Sequence, residues 1–503
     1  MLRSLGWRGL EAGLATLGVV LLDAARLTEV LGVPAPSGAG AVGGVTHDSR
    51  EAGPGVVFVA VPGFKQDGIS FAPEAIRRGS PLVVAERELT GIPTSVVPDA
   101  RRALAALAAA VYGNPSERME VYGVTGTNGK TTTSHALYAT LAAARGEEAC
   151  GLMTTAGTIS GDERQDAPPV RTTPEAPEVQ RLLAGMLERG VRRVVMEVSS
   201  HGIALSRVAG TRFAGAIFTN LTRDHLDLHG SMEEYYRTKR VLFHWVSLEG
   251  PKLVNAEDAH GRRLVGEIPG VKTFGGAEDA DYRVMEVRPE RGGTGFTLAH
   301  DGRSLELRTP LLGPYNVLNV AGAAAFALEI GVEGAVVSRA VSEMPQVPGR
   351  FERVASGEFG FEVIVDYAHT DVGLEAVLKV AREVADGRVI CVFGAAGERD
   401  GDKRPKMGRV AARLADRSIV TTDDAYSEDP AKIAREVAAG AERSEIVLDR
   451  REAIRLALDE ALAGDVVVVA GKGHETVQHL PHGDVPFHDA SVVRELLREL
   501  ERK

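Results

Sequence analysis

Thr125-Gly126-Thr127-Asn128-Gly129-Lys130-Thr131-Thr132-Thr133 separates an apolar run with strand character, 119–125, from an Ala- and Leu-rich run with helical character, 130–145. Backbone N–H groups in such a turn, together with the helix N-terminus behind it, form a cradle for an anion. Lys130 is placed to reach the β and γ phosphates of a nucleotide, and the Thr131 hydroxyl to join the shell of a Mg²⁺ ion. The common phosphate-loop pattern has a glycine five residues before Gly129, where this chain has Val124. A purely structural Gly-rich turn does not account for a lysine followed by three threonines.

Outward from this turn the chain reads as alternating strands and helices. Strands are expected at 191–198 and 214–219, and a long Ala-rich helix over 316–330. This alternation predicts a doubly wound α/β block with a mainly parallel sheet. Short alternating strands over 281–307 predict an antiparallel addition to it. Before the block, strands are expected at 56–61 and 82–85 and a helix over 101–112, ended by Gly113-Asn114-Pro115. After it, strands are expected at 361–365, 388–393, 418–422, 445–448 and 465–470, with helices over 372–384 and 430–441. Three domains follow: 1–115, 116–348 and 349–503.

Composition supports a globular protein. The chain has 503 residues, 44% hydrophobic and 25% charged, enough for each domain to bury a core. Net charge is −11, which argues against a general nucleic-acid or membrane surface. No apolar run reaches the roughly 18 residues of a spanning helix. Glu11 and Asp23 interrupt the apolar opening, so no signal peptide is expected. Cys150 and Cys391 sit among apolar residues and are read as core packing, which suits a cytoplasmic protein. Nothing signals an oligomer, and a monomer is the default.

Further polar clusters fall where a parallel sheet collects its ligands, after strand ends. Met196-Glu197-Val198-Ser199-Ser200-His201 closes one strand, and Glu197 there is a candidate carboxylate for a hard cation. Asn220-Leu221-Thr222-Arg223-Asp224-His225-Leu226-Asp227-Leu228-His229 follows the next. His225 is a candidate ligand for Mg²⁺ or Mn²⁺, although imidazole is softer than carboxylate, and His229 is a candidate brace for the loop. Lys239 lies on an expected helix, and nothing in the sequence favours it over Lys252.

With these residues in place the chain resembles the Mur ligase family over essentially its whole length. Gly126-Thr127-Asn128-Gly129-Lys130-Thr131-Thr132 is similar to the family's own phosphate loop. Asn316-Val317-Leu318-Asn319 and Asp366-Tyr367-Ala368-His369-Thr370 match as well. The stretches Thr46-His47-Asp48-Ser49-Arg50, Arg171-Thr172-Thr173-Pro174-Glu175, Gly394 through Pro405, and Gly471-Lys472-Gly473-His474-Glu475 resemble the branch that adds the third amino acid of the cell-wall peptide. The resemblance implies three domains, with a central phosphate-loop parallel sheet and a C-terminal Rossmann-like α/β domain. It also implies an ATP- and Mg²⁺-dependent ligase acting on a UDP-N-acetylmuramoyl dipeptide and a free amino acid.

Residue roles follow from that resemblance. Ser49 would hold the uridine nucleotide. Thr172, Thr173, Ser199 and Arg207 would line the path of the muramoyl dipeptide. Thr131, Glu197 and His225 would surround Mg²⁺, and Lys239 would be carbamylated, which turns an ammonium into a carboxylate. Asn319, Arg350 and Asp366 would hold the adenine and ribose end of ATP. Arg399 and Glu475, with Gly471 nearby, would grip the incoming amino acid. His201 would orient or stabilise the reacting centre, or else is a structural histidine. The dipeptide carboxylate would attack the γ-phosphoryl group, and the amine would then displace phosphate from the acyl phosphate.

One stretch departs from the family. The diaminopimelate-adding version has Asp-Asn-Pro-Arg where this chain has Asp423-Asp424-Ala425-Tyr426. Tyr426 cannot make the bidentate contact of an arginine with a distal carboxylate, and Asp424 adds an acid. The expected amino acid is therefore L-ornithine or L-lysine, with meso-2,6-diaminopimelate as the alternative. A sibling ligase or folylpolyglutamate synthetase would keep the phosphate loop but lose Asp48-Ser49-Arg50 and the Gly471–Glu475 stretch. A nucleotide switch without ligase chemistry would have no use for both Glu197 and His225.

Overall fold

The computed structural model describes residues 18–36, 38–63, 66–165, 172–290, 292–356 and 359–502. Arg171, Arg291 and most of the apolar opening of the chain lie outside them. By compactness the chain falls into two units. The first takes residues up to Glu286 with Phe296–Leu307 and Leu318–Val341, and the second takes Val287–Gly295, Arg308–Val317 and Ser342–Lys503.

The first unit begins with a four-stranded parallel sheet, β1 (Gly44–Thr46), β2 (Val56–Val59), β3 (Val83–Ala85) and β4 (Thr94–Val96), in that spatial order. Its strands are short runs of β-branched residues, and its core is closed by the helix Ala100–Val111. That helix starts at Asp99, whose carboxylate accepts from the Arg102 N–H, and buries an Ala/Leu face.

The large sheet follows. Its strands are β5 (Glu120–Thr125), β6 (Cys150–Thr154), β7 (Gly157–Ser160), β8 (Glu163–Gln165), β9 (Arg193–Glu197), β10 (Gly215–Phe218), β11 (Lys252–Asn255), β12 (Val271–Gly275), β13 (Tyr282–Glu290), β14 (Gly293–His300) and β15 (Arg303–Thr309). The eleven strands run 15-14-13-12-11-10-5-9-6-7-8. The centre, in the spatial order β12-β11-β10-β5-β9-β6, is parallel, and β7 and β8 are antiparallel at one edge. β5 and β9 lie side by side with Val124 opposite Glu197, so the phosphate-loop turn and the Glu197 strand end emerge together. Both central strands are buried on both faces, which is why they read as continuous apolar runs. The edge hairpin β6–β7 was not expected from the sequence. The strand β6 is short and carries Gly151 in its interior, which weakens its signal, and β9 supplies the pairing.

The second unit holds a six-stranded sheet. Its strands are β16 (Glu352–Ser356), β17 (Glu362–Asp366), β18 (Val389–Phe393), β19 (Arg417–Val420), β20 (Glu445–Ile446) and β21 (Val466–Ala470), in the order 16-17-21-18-19-20. All pairings are parallel except β16–β17. Apolar side chains from both faces of β17, β18 and β21 feed two separate cores. A small hairpin, β22 (Val477–Leu480) and β23 (Gly483–Pro486), follows β21. Among the described residues no helix is long and apolar enough to cross a membrane.

Candidate active site

In the first unit the loop leaving β5 is shaped by two glycines. Gly126 has φ +153, and a Cβ there would lie 1.9 Å from Thr219 Oγ1. Gly129 has φ +80, and a Cβ there would lie 2.1 Å from Asn319 Oδ1. Only a residue without a side chain fits either position. Asn220 braces the turn: its carbonyl accepts from the Thr127 N–H at 2.9 Å, its Oδ1 accepts from the Asn128 N–H at 2.9 Å, and its Nδ2 donates to the Asn128 carbonyl at 3.2 Å. Asn128 Nδ2 also donates to Thr222 Oγ1 at 3.3 Å. The helix Lys130–Arg145 starts at Gly129, and its first-turn N–H groups lack intrahelical acceptors and face the loop. Thr132 and Thr133 are buried at its base.

Lys130 Nζ donates to the Thr127 carbonyl at 2.9 Å and lies 3.9 Å from Glu197 Oε1. Glu197, 2% exposed, accepts on Oε2 from Thr131 Oγ1 at 3.1 Å, Thr155 Oγ1 at 2.8 Å and the Thr155 N–H at 3.0 Å. Thr155 was not singled out in the sequence because β6 was not; its place beyond the end of β6 is what brings it in. The Glu197 carboxylate and the Thr131 hydroxyl are oxygens of the kind a hard cation takes, and the glycine-walled turn ahead of a helix N-terminus has the form of an anion cradle. Glu197 and Thr131 could hold a hard cation, and the turn a phosphate group.

Lys239 is 1% exposed. Its Nζ donates to the Gly126 carbonyl at 2.7 Å and lies 4.8 Å from the centre of the Tyr235 ring. Burial, then the charge of Lys130, holds its pKa well below the ordinary lysine value. Lys252, which the sequence did not distinguish from it, donates to the carbonyls of Ser247, Leu248 and Gly250 and so caps a turn.

Tyr235 also joins the loop, its hydroxyl 3.2 Å from Thr127 Oγ1. His229 stacks on Tyr235 with centroids 4.8 Å apart, and His201 meets His225 edge-on at 4.8 Å. His225 is in the left-handed region at φ +52, with Nε2 3.5 Å from Asp224 Oδ2. Burial, followed by neighbouring positive charge, lowers the pKa of His201 and of His229 to about 4, so both rings are neutral near pH 7. Among the described residues no group of three His, Cys, Asp or Glu side chains is arranged to hold a metal ion.

Beside Glu197, Thr173 Oγ1 lies 3.0 Å from Ser199 Oγ and accepts from the Ser199 N–H. Arg207 donates to the Thr173 carbonyl at 3.1 Å and pairs with Glu175 at 3.0 Å. Thr172 is half-buried next to Thr173. Ser49 stands apart from this group, after β1, and donates to Glu74 at 3.3 Å.

The second unit has its own cluster. Asp366 ends β17 and accepts the N–H groups of Phe351 at 2.6 Å and Ala368 at 2.8 Å. Burial raises its pKa to about 6, against the pull of Arg350. The Arg350 guanidinium lies 4.4 Å over the Tyr367 ring, and Tyr367 donates to Glu475 at 3.3 Å. Lys472, fully buried, donates to Asp424 Oδ1 at 2.8 Å and Glu475 Oε2 at 2.9 Å. Asp424 Oδ1 also accepts the His479 N–H at 2.9 Å. Burial pushes the Glu475 carboxyl up to about 7, against Lys472. Burial would also raise Asp423, but Lys472 and Arg450 hold it below the usual range. A Cβ on Gly471 would meet Asp423 Oδ2 at 2.5 Å. Tyr426, at φ +50, stacks on His479 at 5.2 Å, and Arg399 lies 6.0 Å from the same ring.

Comparison with known proteins agrees with this geometry. Residues 41–112, 124–327 and 349–473 match, respectively, the Mur ligase family catalytic domain, the Mur ligase middle domain and the Mur ligase glutamate ligase domain. The UDP-N-acetylmuramoyl-L-alanyl-D-glutamate–2,6-diaminopimelate ligase of Syntrophomonas wolfei is 41% identical over 91% of this chain and 95% of its own. The enzyme of that name from Geobacillus thermodenitrificans is 42% identical over 90% and 94%. A solved structure of a ligase with that name covers 96% of this chain and 100% of its own at 29% identity, with a TM-score of 0.67.

These relatives overturn the expectation of ornithine or lysine drawn from Asp424 and Tyr426. The physical reason is Lys472. The added carboxylate of Asp424 is already bonded to a buried ammonium, so it is not an open anion for a cationic substrate. Nor does the loss of an arginine at Tyr426 empty the region of positive charge, because Arg399 lies against the Tyr426 ring. The use of ATP and Mg²⁺ is typical of the family, and the three matched segments, with their four-, eleven- and six-stranded sheets, give its three-domain architecture. The chain belongs to the Mur ligase family and is an ATP-dependent ligase that joins a carboxylate to an amine.

Proposed function

We propose that this enzyme adds meso-2,6-diaminopimelate to the D-glutamate of UDP-N-acetylmuramoyl-L-alanyl-D-glutamate, in peptidoglycan synthesis. The observation that carries the amino-acid assignment is the Lys472–Asp424 ion pair at 2.8 Å, which cancels the one acidic change that favoured a cationic substrate. The names of relatives at about two-fifths identity over nine-tenths of the chain point the same way.

A carboxylate is a poor electrophile, and phosphorylation makes it a good one. In this reading the glycine-walled turn and the first N–H groups of its helix hold the β and γ phosphates. Lys130 neutralises charge as the γ-phosphoryl group passes to the dipeptide carboxylate. The incoming amine then attacks the acyl carbon, phosphate leaves with the C–O bond electrons, and the amine proton is lost to a base. Thr131, Glu197 and His225 would hold Mg²⁺, which supplies electrostatic neutralisation of the phosphates. Ser49 is assigned to the uridine end, and Thr172, Thr173, Ser199 and Arg207 to the dipeptide. Asn319, Arg350 and Asp366 are assigned to the adenine and ribose end. Arg399, Asp423, Asp424, Tyr426, Gly471 and Glu475 are assigned to the amino acid. Neutral His201 is assigned to orienting the reacting centre.

Carbamylation of Lys239 belongs to the same proposal. Only a neutral amine attacks CO₂, and a buried lysine with a strongly lowered pKa supplies one. A ¹³C carbamate signal from enzyme equilibrated with labelled bicarbonate, absent from Lys239→Met, is the expected result. The same spectrum for parent and variant would dismiss the modification.

The function is tested by ADP release with the muramoyl dipeptide and diaminopimelate, lysine or ornithine at equal concentration. Diaminopimelate should be strongly preferred. A preference for either of the others, or ATP hydrolysis indifferent to the dipeptide, would remove the assignment. Lys130→Ala should abolish turnover with all three.

A further inference from the structure

Behind the amino-acid cluster lies an ion pair that none of the steps above uses. Arg450 and Asp489 are both fully buried, and the guanidinium donates through Nε at 2.8 Å and Nη2 at 2.7 Å to the two carboxylate oxygens. A pair like this contributes little net stability. Taking both charges out of water costs about as much as their attraction returns, and apolar residues of similar volume serve a core equally well. Arg450 is also the first residue of the helix Arg450–Glu460, where the helix dipole disfavours a cation. Stability alone is therefore a weak account of it.

What the guanidinium does beyond Asp489 is specific. Nη2 donates to the carbonyl of Ala470, the last residue of β21, at 3.0 Å. Nη1 donates to the carbonyl of Thr422, just past the end of β19, at 3.5 Å. Gln478 Nε2 reinforces the second point, donating to the Thr422 and Asp423 carbonyls at 3.1 and 3.2 Å. A Cβ on Gly471 would lie 2.5 Å from Asp423 Oδ2 and 3.9 Å from Arg450 Nη2, so Arg450, Asp423 and Gly471 converge. The two strand ends joined here carry Asp423 and Asp424 on one side, and Gly471, Lys472 and Glu475 on the other. β18 lies between β19 and β21 in the sheet, so no ladder bond ties those two ends together.

We propose that Arg450, held in place by Asp489, is the positioning residue of the amino-acid pocket. It fixes the spacing between the β19 and β21 strand ends, so that Asp423–Asp424 and Gly471–Glu475 present one preformed site. The inference rests on the assignment of these residues to the incoming amino acid.

The test uses the full-length enzyme with Arg450→Met and Asp489→Leu combined, which removes both charges and leaves neither unpaired. The expected result is a folded protein in which KM for the amino acid rises about tenfold or more, while KM for ATP and for the dipeptide changes less than twofold. Parental amino-acid KM in the folded double variant would overturn the proposal. So would an equal rise in all three KM values, which marks general loosening. Arg450→Lys keeps the charge but not the fork that reaches two carbonyls, and should give an intermediate rise. A silent Arg450→Lys beside a double variant that fails to fold would also overturn it. Glu475→Gln, run in parallel, separates the two ideas. If it leaves amino-acid KM unchanged, the pocket assignment falls and the inference with it. If it raises that KM while the double variant is silent, only the role of Arg450 falls.

Discussion

Replacing Asp366 by asparagine gives a stability change whose pH dependence is set by one buried carboxyl. Asp366 is 8% exposed, and burial raises its pKa from 3.8 to about 6. An acid with a raised folded-state pKa binds its proton more tightly in the folded protein than in the unfolded chain. Its ionisation therefore subtracts stability as pH rises from about 4 to about 6, and the loss is constant above that. A shift of about two units corresponds to about 3 kcal/mol in full, of which about 1.4 kcal/mol develops between pH 5 and pH 8. The asparagine side chain does not ionise, but it offers one acceptor oxygen where Asp366 uses two, for the N–H groups of Phe351 and Ala368. That mismatch costs about 1–3 kcal/mol at every pH. The absolute effect of the substitution is thus a near-cancellation, whereas its slope with pH is not. Hydrogen exchange of the β17 and β21 amides measures the slope inside the second unit, after correction for intrinsic exchange. The variant-to-parent ratio of protection factors should grow about tenfold from pH 5 to pH 8. A flat ratio would refute the reasoning and mean that Arg350 fully compensates the buried charge.

Gly129→Ala forces a side chain into the left-handed region, about 1–2 kcal/mol, and against Asn319 Oδ1; KM for ATP should rise at least tenfold in steady-state assays while the thermal midpoint moves by a few degrees. Thr155→Val removes the hydroxyl 2.8 Å from Glu197 but keeps the N–H bond. One charge-assisted hydrogen bond is worth about 1.5 kcal/mol, so kcat should fall about tenfold, and an unchanged kcat would show that Thr155 does not orient Glu197. Lys472→Met leaves Asp424 and Glu475 without their cation and should destabilise the second unit by about 3 kcal/mol; exchange of the β21 amides checks it, and adding Asp424→Asn should recover part of the loss.

The sequence by itself determined the parts that rest on local patterning. The turn from Gly126 to Thr131, the apolar runs that became β5, β9, β17, β18 and β21, and the polar stretches after them were all legible. Strand periodicity, glycine placement and the rule that ligands gather past strand ends act over a few residues. The polar stretch that begins at Glu197 could be placed for the same reason. Tertiary structure decided the rest. The edge hairpin β6–β7 forms because β9 offers it a pairing surface, and with it Thr155 reaches Glu197 from 42 residues away. Lys239 and Lys252 are alike as letters. The fold buries one against the Gly126 carbonyl and spends the other on a turn, and only that burial lowers the pKa of Lys239 so far. Asp424 read as an added negative charge until the fold set Lys472, 48 residues on, against it. Arg450 gave no signal at all, since its meaning lies in two strand ends and an aspartate brought together from distant segments. Charge on a side chain is a property of its sequence position, but the field it feels is the sum over neighbours that only the folded chain assembles.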